Sequence, residues 1–276
     1  MPSKNSFLQN ISAGISKRLS GTKRDQYKKA NLNWVKIKYL KHVPANKIHQ
    51  HKLLGHETFF KGGSEYLYGL EEIFIEEIYK QKLPEDAFVL DCGAHIGLSV
   101  LYVKSICPTA RIIAFEPDAE NYSLLCRNIH SHELENIEAR QEAVWIENTT
   151  LQFSQDGNMG SKIENNSKNN TVNVQAKRLK NFITTKVDFL KLDIEGAEYV
   201  VLEDIHENLR LVNNMFIEYH GTYAQNDELV KIFILIEKYG FQFYIKEAAD
   251  NHSQPFLKAD SPTDYDVQLN IFCFRN

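Results

Sequence analysis

Val89-Leu90-Asp91-Cys92-Gly93-Ala94-His95-Ile96-Gly97 runs from a short apolar stretch into a turn bracketed by two glycines. Leu98 to Ile106 then carries helical apolar spacing and closes before Pro108. A second apolar stretch, Arg111 to Phe115, precedes a second helical pattern, Asp118 to His130, with Tyr122, Leu125 and Ile129 on one face. Strand, helix, strand, helix is the βαβ unit of a parallel sheet, and it sets the fold class as α/β. Ile137 to Val144 reads as a third strand. Two further units follow, Val187 to Leu192 with Gly196 to Asp204 and Met215 to Tyr219 with Asn226 to Tyr239, the latter stopped at Gly240. Phe241 to Ile245 and Val267 to Phe274 close the chain as strands, and the alternation in the last suggests an antiparallel edge. Thr149 to Val174, rich in Asn, Ser and Gly, reads as a β-hairpin insertion.

Upstream, Tyr66, Leu70, Ile73, Phe74 and Ile78 define a helix before the core, with Glu71, Glu72, Glu76 and Glu77 mostly off its apolar face. The stretch from 31 to 61 is irregular, and Phe7, Ile11, Ile15 and Leu19 fall at the spacing of an amphipathic helix. The expected organisation is a basic appendage over 1–65 and one α/β domain over 66–276. The length of 276 residues, with 43% hydrophobic and 25% charged residues, suits an ordinary globular core. The net charge of -4 conceals an asymmetry: residues 1–54 hold 12 Lys and Arg against the single acid Asp25. Cys92, Cys107, Cys126 and Cys273 form no Cys-x-x-Cys pair and read as reduced thiols of a cytoplasmic protein. No apolar run reaches the roughly 18 residues of a membrane helix.

Open α/β sheets bind ligands beyond the carboxyl ends of their strands, so the chemistry should sit there. The first strand ends in Asp91 and the Gly93 to Gly97 turn, where glycine permits positive φ and close backbone approach. The second ends in Phe115-Glu116-Pro117, placing a carboxylate where a ribose diol would lie, and Glu142 near the end of the third adds a candidate adenine-side contact. A dinucleotide site would want Gly-x-Gly-x-x-Gly, and position 95 is His. A carboxylate before the turn repels phosphate and suits a cationic sulfonium, which makes S-adenosylmethionine the expected cofactor. The expected cofactor-binding set is Asp91, Gly93, Ala94, His95, Gly97, Glu116, Pro117, Glu142 and Asp193.

These stretches, with Lys191-Leu192-Asp193-Ile194-Glu195-Gly196-Ala197-Glu198 and Glu218-Tyr219-His220, resemble the FkbM family of methyltransferases over Phe74 to Tyr223. The family usually has Asn where this chain has His95, and often Val where it has Cys92. The resemblance implies a seven-strand Rossmann-like sheet with helices on both faces, and methylation of hydroxyl groups on sugars, glycolipids or secondary metabolites. It also implies a strand order that brings Asp193 and Glu195 opposite the Asp91 turn, with His220 arriving from the next strand.

A hydroxyl is a poor nucleophile at neutral pH, so methyl transfer needs alignment and a base. His220, Asp193 and Glu195 are the catalytic candidates. A divalent metal on Asp193, Glu195 and Glu218 would suit oxygen ligands but is not favoured, and no metal is assigned. The acceptor is expected to be a small molecule or glycan, anionic or lipid-linked if the basic arm guides it, and that arm could also touch a membrane surface. Nucleic acid is disfavoured by the acidic remainder. Two other classes share these motifs: a nicotinamide-dependent oxidoreductase, opposed by the glycine spacing, and a nucleoside-binding protein without turnover.

Overall fold

The computed structural model describes residues 21–154, 171–249, 251–252, 254–257 and 265–275. The candidate helix over 7–19 and the tip of the expected hairpin lie outside them. Helices α1 (Gly21–Lys29) and α2 (Trp34–Leu40) lead into a hairpin of β1 (His49–Leu53) and β2 (His56–Phe60). Sequence periodicity missed α2, which is two turns long and turns only Ile37 and Leu40 toward the core. The Asn33 side chain starts it by accepting the Lys36 amide at 2.9 Å. Helix α3 (Gly63–Gly69) continues as a π-helical turn over Leu70–Ile75, shorter than the helix expected from 66 to 79.

The core then alternates as the sequence indicates: β3 (Phe88–Cys92), α4 (Leu98–Ile106), β4 (Arg111–Phe115), α5 (Ala119–Ser131) and β5 (Ile137–Arg140). The expected third strand is broken at Gln141 and Glu142. Beyond the break β6 (Ala143–Trp145) leaves the main sheet and pairs with β8 (Thr171–Arg178), which in turn pairs antiparallel with β7 (Thr149–Ser154). The chain returns as β9 (Val187–Leu192), α6 (Glu198–Asp204), β10 (Val212–Gly221), α7 (Asn226–Lys238), β11 (Gln242–Glu247) and β12 (Val267–Phe274).

Seven strands form one sheet in the order β11-β12-β10-β9-β3-β4-β5, and β12 runs antiparallel to both neighbours. This is a Rossmann-like α/β sheet. Alternation along β3 explains its two cores: Val89 joins one apolar cluster and Leu90 and Cys92 the other, all essentially buried. The first cluster also takes Leu40, Leu53 and Phe60, so the hairpin and α2 pack onto the same core as the sheet. Each such side chain contributes roughly 1.5–3 kcal/mol on burial. Asn128 of α5, fully buried, secures the hairpin by accepting the Phe59 amide and donating to the carbonyls of Phe59 and Ile96 at 3.0 and 2.8 Å.

Candidate active site

The order of the sheet puts β9 beside β3, so the turns after these strands meet at their carboxyl ends. The contact is tight: a Cβ on Gly93, whose φ is +91°, would lie 1.8 Å from the Asp193 carbonyl oxygen. Only glycine fits there. The amides of Gly93 and Ala94 donate to the Phe115 carbonyl at 3.0 and 2.8 Å, fixing the turn against β4. His95 also takes a positive φ of 49°, and its amide donates to Glu116 Oε2 at 2.7 Å. Glu116 Oε1 accepts from the Asp118 amide at 2.9 Å. Burial raises the Glu116 carboxyl to about 7, against the pull of His95 and those two amides. The His95 ring reaches Glu65 of α3 at 2.8 Å; burial opposes a charge on the imidazole, but Glu65 together with Glu116 and Asp193 raises its pKa.

Beneath the turn, Asp91 accepts a short hydrogen bond from Ser99 and lies 3.4 Å from Lys191 Nζ. Lys191 and Ser99 line the cavity above it, whereas Asp91 sits behind that wall. Its Oδ1 is buried without a hydrogen-bond partner. The Lys191 ammonium donates to the Gly93 carbonyl at 2.6 Å and to Asp193 Oδ2 at 3.1 Å. Burial alone would discharge this lysine, but Asp193 and Asp91 hold its pKa well above the ordinary value. Pro117 and Glu142 line the cavity on the β4 side, where Glu142 is ion-paired with Arg140 and lies 3.6 Å from Lys177 of the β6-β8-β7 sheet.

The other end of the same cavity is acidic. Glu195, Glu218 and His220 line it with Asp193. His220 is 3% exposed, its Nδ1 lies 3.3 Å from Glu198 Oε1, and its Nε2 lies 3.7 Å from Glu195 and 3.6 Å from Glu218. Burial opposes a charge on the ring, yet Glu198, Glu195 and Glu218 together raise its pKa to about 10. Burial likewise raises Glu195 to about 7 and Glu218 well above the carboxylate range. Glu198, wholly buried, also accepts the amides of Ile194 and Gly196 and so anchors the loop carrying Glu195. Ligand atoms of Asp193, Glu195 and His220 lie within 4.8 Å of one another, a spacing that admits a divalent cation. Each is already within ion-pair distance of an opposite charge, Asp193 with Lys191 and Glu195 with His220, which accounts for the cluster without one.

The sequence did not reveal three polar residues at this end. Glu72 lines the cavity, and burial raises its pKa. Asn270 of β12 donates to Glu72 at 2.8 Å, and Gln268 pairs in register with His220 while lining the cavity. The only signal at hand was the alternation of the last strand, which places 268 and 270 on one face.

A Rossmann-like sheet with an acidic cleft at its strand ends matches the architecture of class I methyltransferases. The chain belongs to the FkbM methyltransferase family: the family model described as the methyltransferase FkbM domain matches residues 91–243. Among curated relatives it is similar to Methyltransferase 1 of Beauveria bassiana, 30% identical over 176 residues, which are 54% of this chain and 71% of that one. It is 29% identical to Methyltransferase sdnD of Sordaria araneosa over 227 residues, 68% of this chain and 86% of that one. The crystal structure of methyltransferase FkbM from Methylobacillus flagellatus superposes with a TM-score of 0.48 at 17% identity. That match covers 74% of this chain and 47% of the other, so this chain spans about half its length. Membership in a methyltransferase family implies S-adenosylmethionine as the methyl donor.

Proposed function

We propose that the protein methylates a hydroxyl group of a sugar, glycan, glycolipid or secondary metabolite, with S-adenosylmethionine held at the β3–β4 end of the cleft and the acceptor at the β9–β10 end. The observation that carries this reading is a single cavity whose one wall offers Gly93, Ala94 and Glu116 and whose other offers Asp193, Glu195 and His220. Three features fit the donor. Gly93 leaves room for close backbone approach. Each Glu116 oxygen retains a lone pair beyond its amide bond, enough to accept two ribose hydroxyls. Carboxylates along the wall, among them Glu116, Asp193 and Glu195, outnumber the Lys191 cation and suit a positively charged ligand. When bound, the donor supplies a methyl carbon on a positively charged sulfur.

This chain's residues then align the acceptor and take its proton. Glu198, Glu195 and Glu218 favour the charged imidazole of His220 despite its burial, so the base is assigned to Glu195, which lines the cavity within ion-pair distance of His220 and whose carboxyl burial raises to about 7. His220, anchored by Glu198, positions that carboxylate. The test is incubation of the protein with isotopically labelled S-adenosylmethionine and separate glycan, lipid and small-molecule extracts, read by mass spectrometry. Label on an oxygen supports the reading. Label only on nitrogen or carbon removes the hydroxyl assignment, and binding without turnover on any extract would favour the nucleoside-binding alternative. Tighter binding of NAD than of S-adenosylmethionine would favour the oxidoreductase.

A further inference from the structure

Away from the cleft, one face of α2 is built in a way that the core does not explain. Trp34, Val35 and Tyr39 are 73%, 65% and 61% exposed, and with Lys38 they occupy positions i, i+1, i+4 and i+5. That is a single helical face turned to solvent. Ile48, 49% exposed, adds to the patch from the loop before β1. Large aromatic and branched side chains at such exposure, contiguous on one turn, mark an interaction surface.

The charge around it is of one sign. From Gln26 to His56 the chain has seven lysines and no Asp or Glu. Lys28, Lys29, Lys38, Lys41, Lys47 and Lys52 are exposed, and Lys38 Nζ lies 5.4 Å from the Trp34 ring centroid. We propose that this face docks the protein onto an anionic phospholipid membrane, with Trp34, Val35 and Tyr39 entering the headgroup region and the lysines meeting lipid phosphates. An indole and a phenol beside lysines are the side chains that partition into a membrane interface. Charge complementarity selects the anionic surface, since each lysine near it strengthens partitioning roughly fivefold. The dock also has a mechanical link to the cleft: a Cβ on Gly63 at the start of α3 would meet the Leu40 carbonyl at 2.0 Å, and α3 carries Glu65 and Tyr68 of the cavity wall. The inference concerns where the protein sits and stands whether or not the acceptor is a hydroxyl.

The sequence holds two tryptophans, Trp34 and Trp145, so a Trp145→Phe full-length protein reports on Trp34 alone. Titrated with phosphatidylcholine vesicles containing roughly one third phosphatidylserine, its emission should shift to the blue and the protein should sediment with the vesicles, neither occurring with pure phosphatidylcholine. Lys38→Glu with Lys41→Glu should lower partitioning at least tenfold, as should Trp34→Ser with Tyr39→Ser, with unchanged circular dichroism and thermal midpoint. No shift and no sedimentation on anionic vesicles would overturn the proposal. Undiminished binding by the Trp34→Ser, Tyr39→Ser protein would do so as well, by placing the attachment elsewhere. Retention by an RNA oligonucleotide without vesicle binding would assign the face to nucleic acid instead.

Discussion

At Glu116 the whole donor reading narrows to one carboxylate with two amides already bound and two lone pairs to spare. Glu116→Ala should weaken S-adenosylmethionine binding by about 1.5–3 kcal/mol, the scale of a hydrogen bond to a charged group, measured by calorimetry on folded protein. Unchanged affinity would take the ribose away from this residue. Glu195 belongs to the acceptor side. Because burial holds its carboxyl at about 7, the methylation rate should rise with pH through that value as the carboxylate forms. Glu195→Gln should remove the rising limb and lower the rate roughly 10²- to 10⁴-fold with donor affinity retained. A limb that persists in this variant would return the base to another member of the cluster. Lys191 tests the floor: Lys191→Met leaves Asp91 and Asp193 without their shared cation, and should cost about 3–5 kcal/mol in denaturant unfolding. An unchanged midpoint would mean that the two carboxylates reach solvent or other partners. Glu116, Asp193, Glu195 and His220, which line the cavity, could be picked out as candidates because each lies at or near the end of an apolar strand, whereas Asp91, named by the same rule, sits behind the wall made by Lys191 and Ser99. Glu72 was not legible, because on a helical wheel a glutamate off the apolar stripe reads as solvated, and only the packing of the π-helical turn over Leu70–Ile75 in the fold buries it.

Elements obeyed the same division. Strands β3, β4 and β9 are largely buried on both faces, so their bounds could be read closely from hydrophobic runs, whereas β10 (Val212–Gly221) reaches beyond the apolar Met215 to Tyr219 run because Asn213, Asn214 and His220 break the pattern at its ends. Helix α2 is too short for its period to register, and the corner at Gln141 and Glu142 is a choice between two sheets that local sequence does not encode. Gly93 was legible as a turn glycine, but its second constraint, contact with the Asp193 backbone, belongs to a strand nearly a hundred residues away. Gly93→Ala should therefore destabilise by more than the roughly 1–3 kcal/mol of a strained backbone alone, and should disturb donor binding and the Asp193 loop together. A variant with wild-type stability would show that the two turns can part without loss. Asn128→Ala removes the clamp between α5 and the β1–β2 hairpin and leaves the Phe59 amide without a partner, which should cost about 1–3 kcal/mol and raise hydrogen exchange first in β2.

Across the whole molecule, the hairpin and α2 share one apolar cluster with the sheet, which argues for a single cooperative unit in spite of the opposed charges of the two ends of the chain. The two tryptophans sit in the two parts, Trp34 on α2 and Trp145 on β6. Single-tryptophan proteins should report coincident denaturation midpoints, and a lower midpoint at Trp34 would make the first sixty residues a separately melting layer. Strand order has a further consequence, in time rather than in space. In the sheet β3 lies between β4, which follows it within about twenty residues, and β9, which begins roughly 95 residues later. At synthesis rates of roughly 5–20 residues per second, the half-sheet β3-β4-β5, finished at Arg140, waits on the order of 2–10 s for its central neighbour. During that interval the β9-facing edge of Phe88–Cys92, with Leu90 among the most deeply buried residues of the mature protein, is an open template at the mouth of the ribosome. The nascent chain is then at its most vulnerable to mispairing, and a holdase that binds apolar edges would find its substrate there.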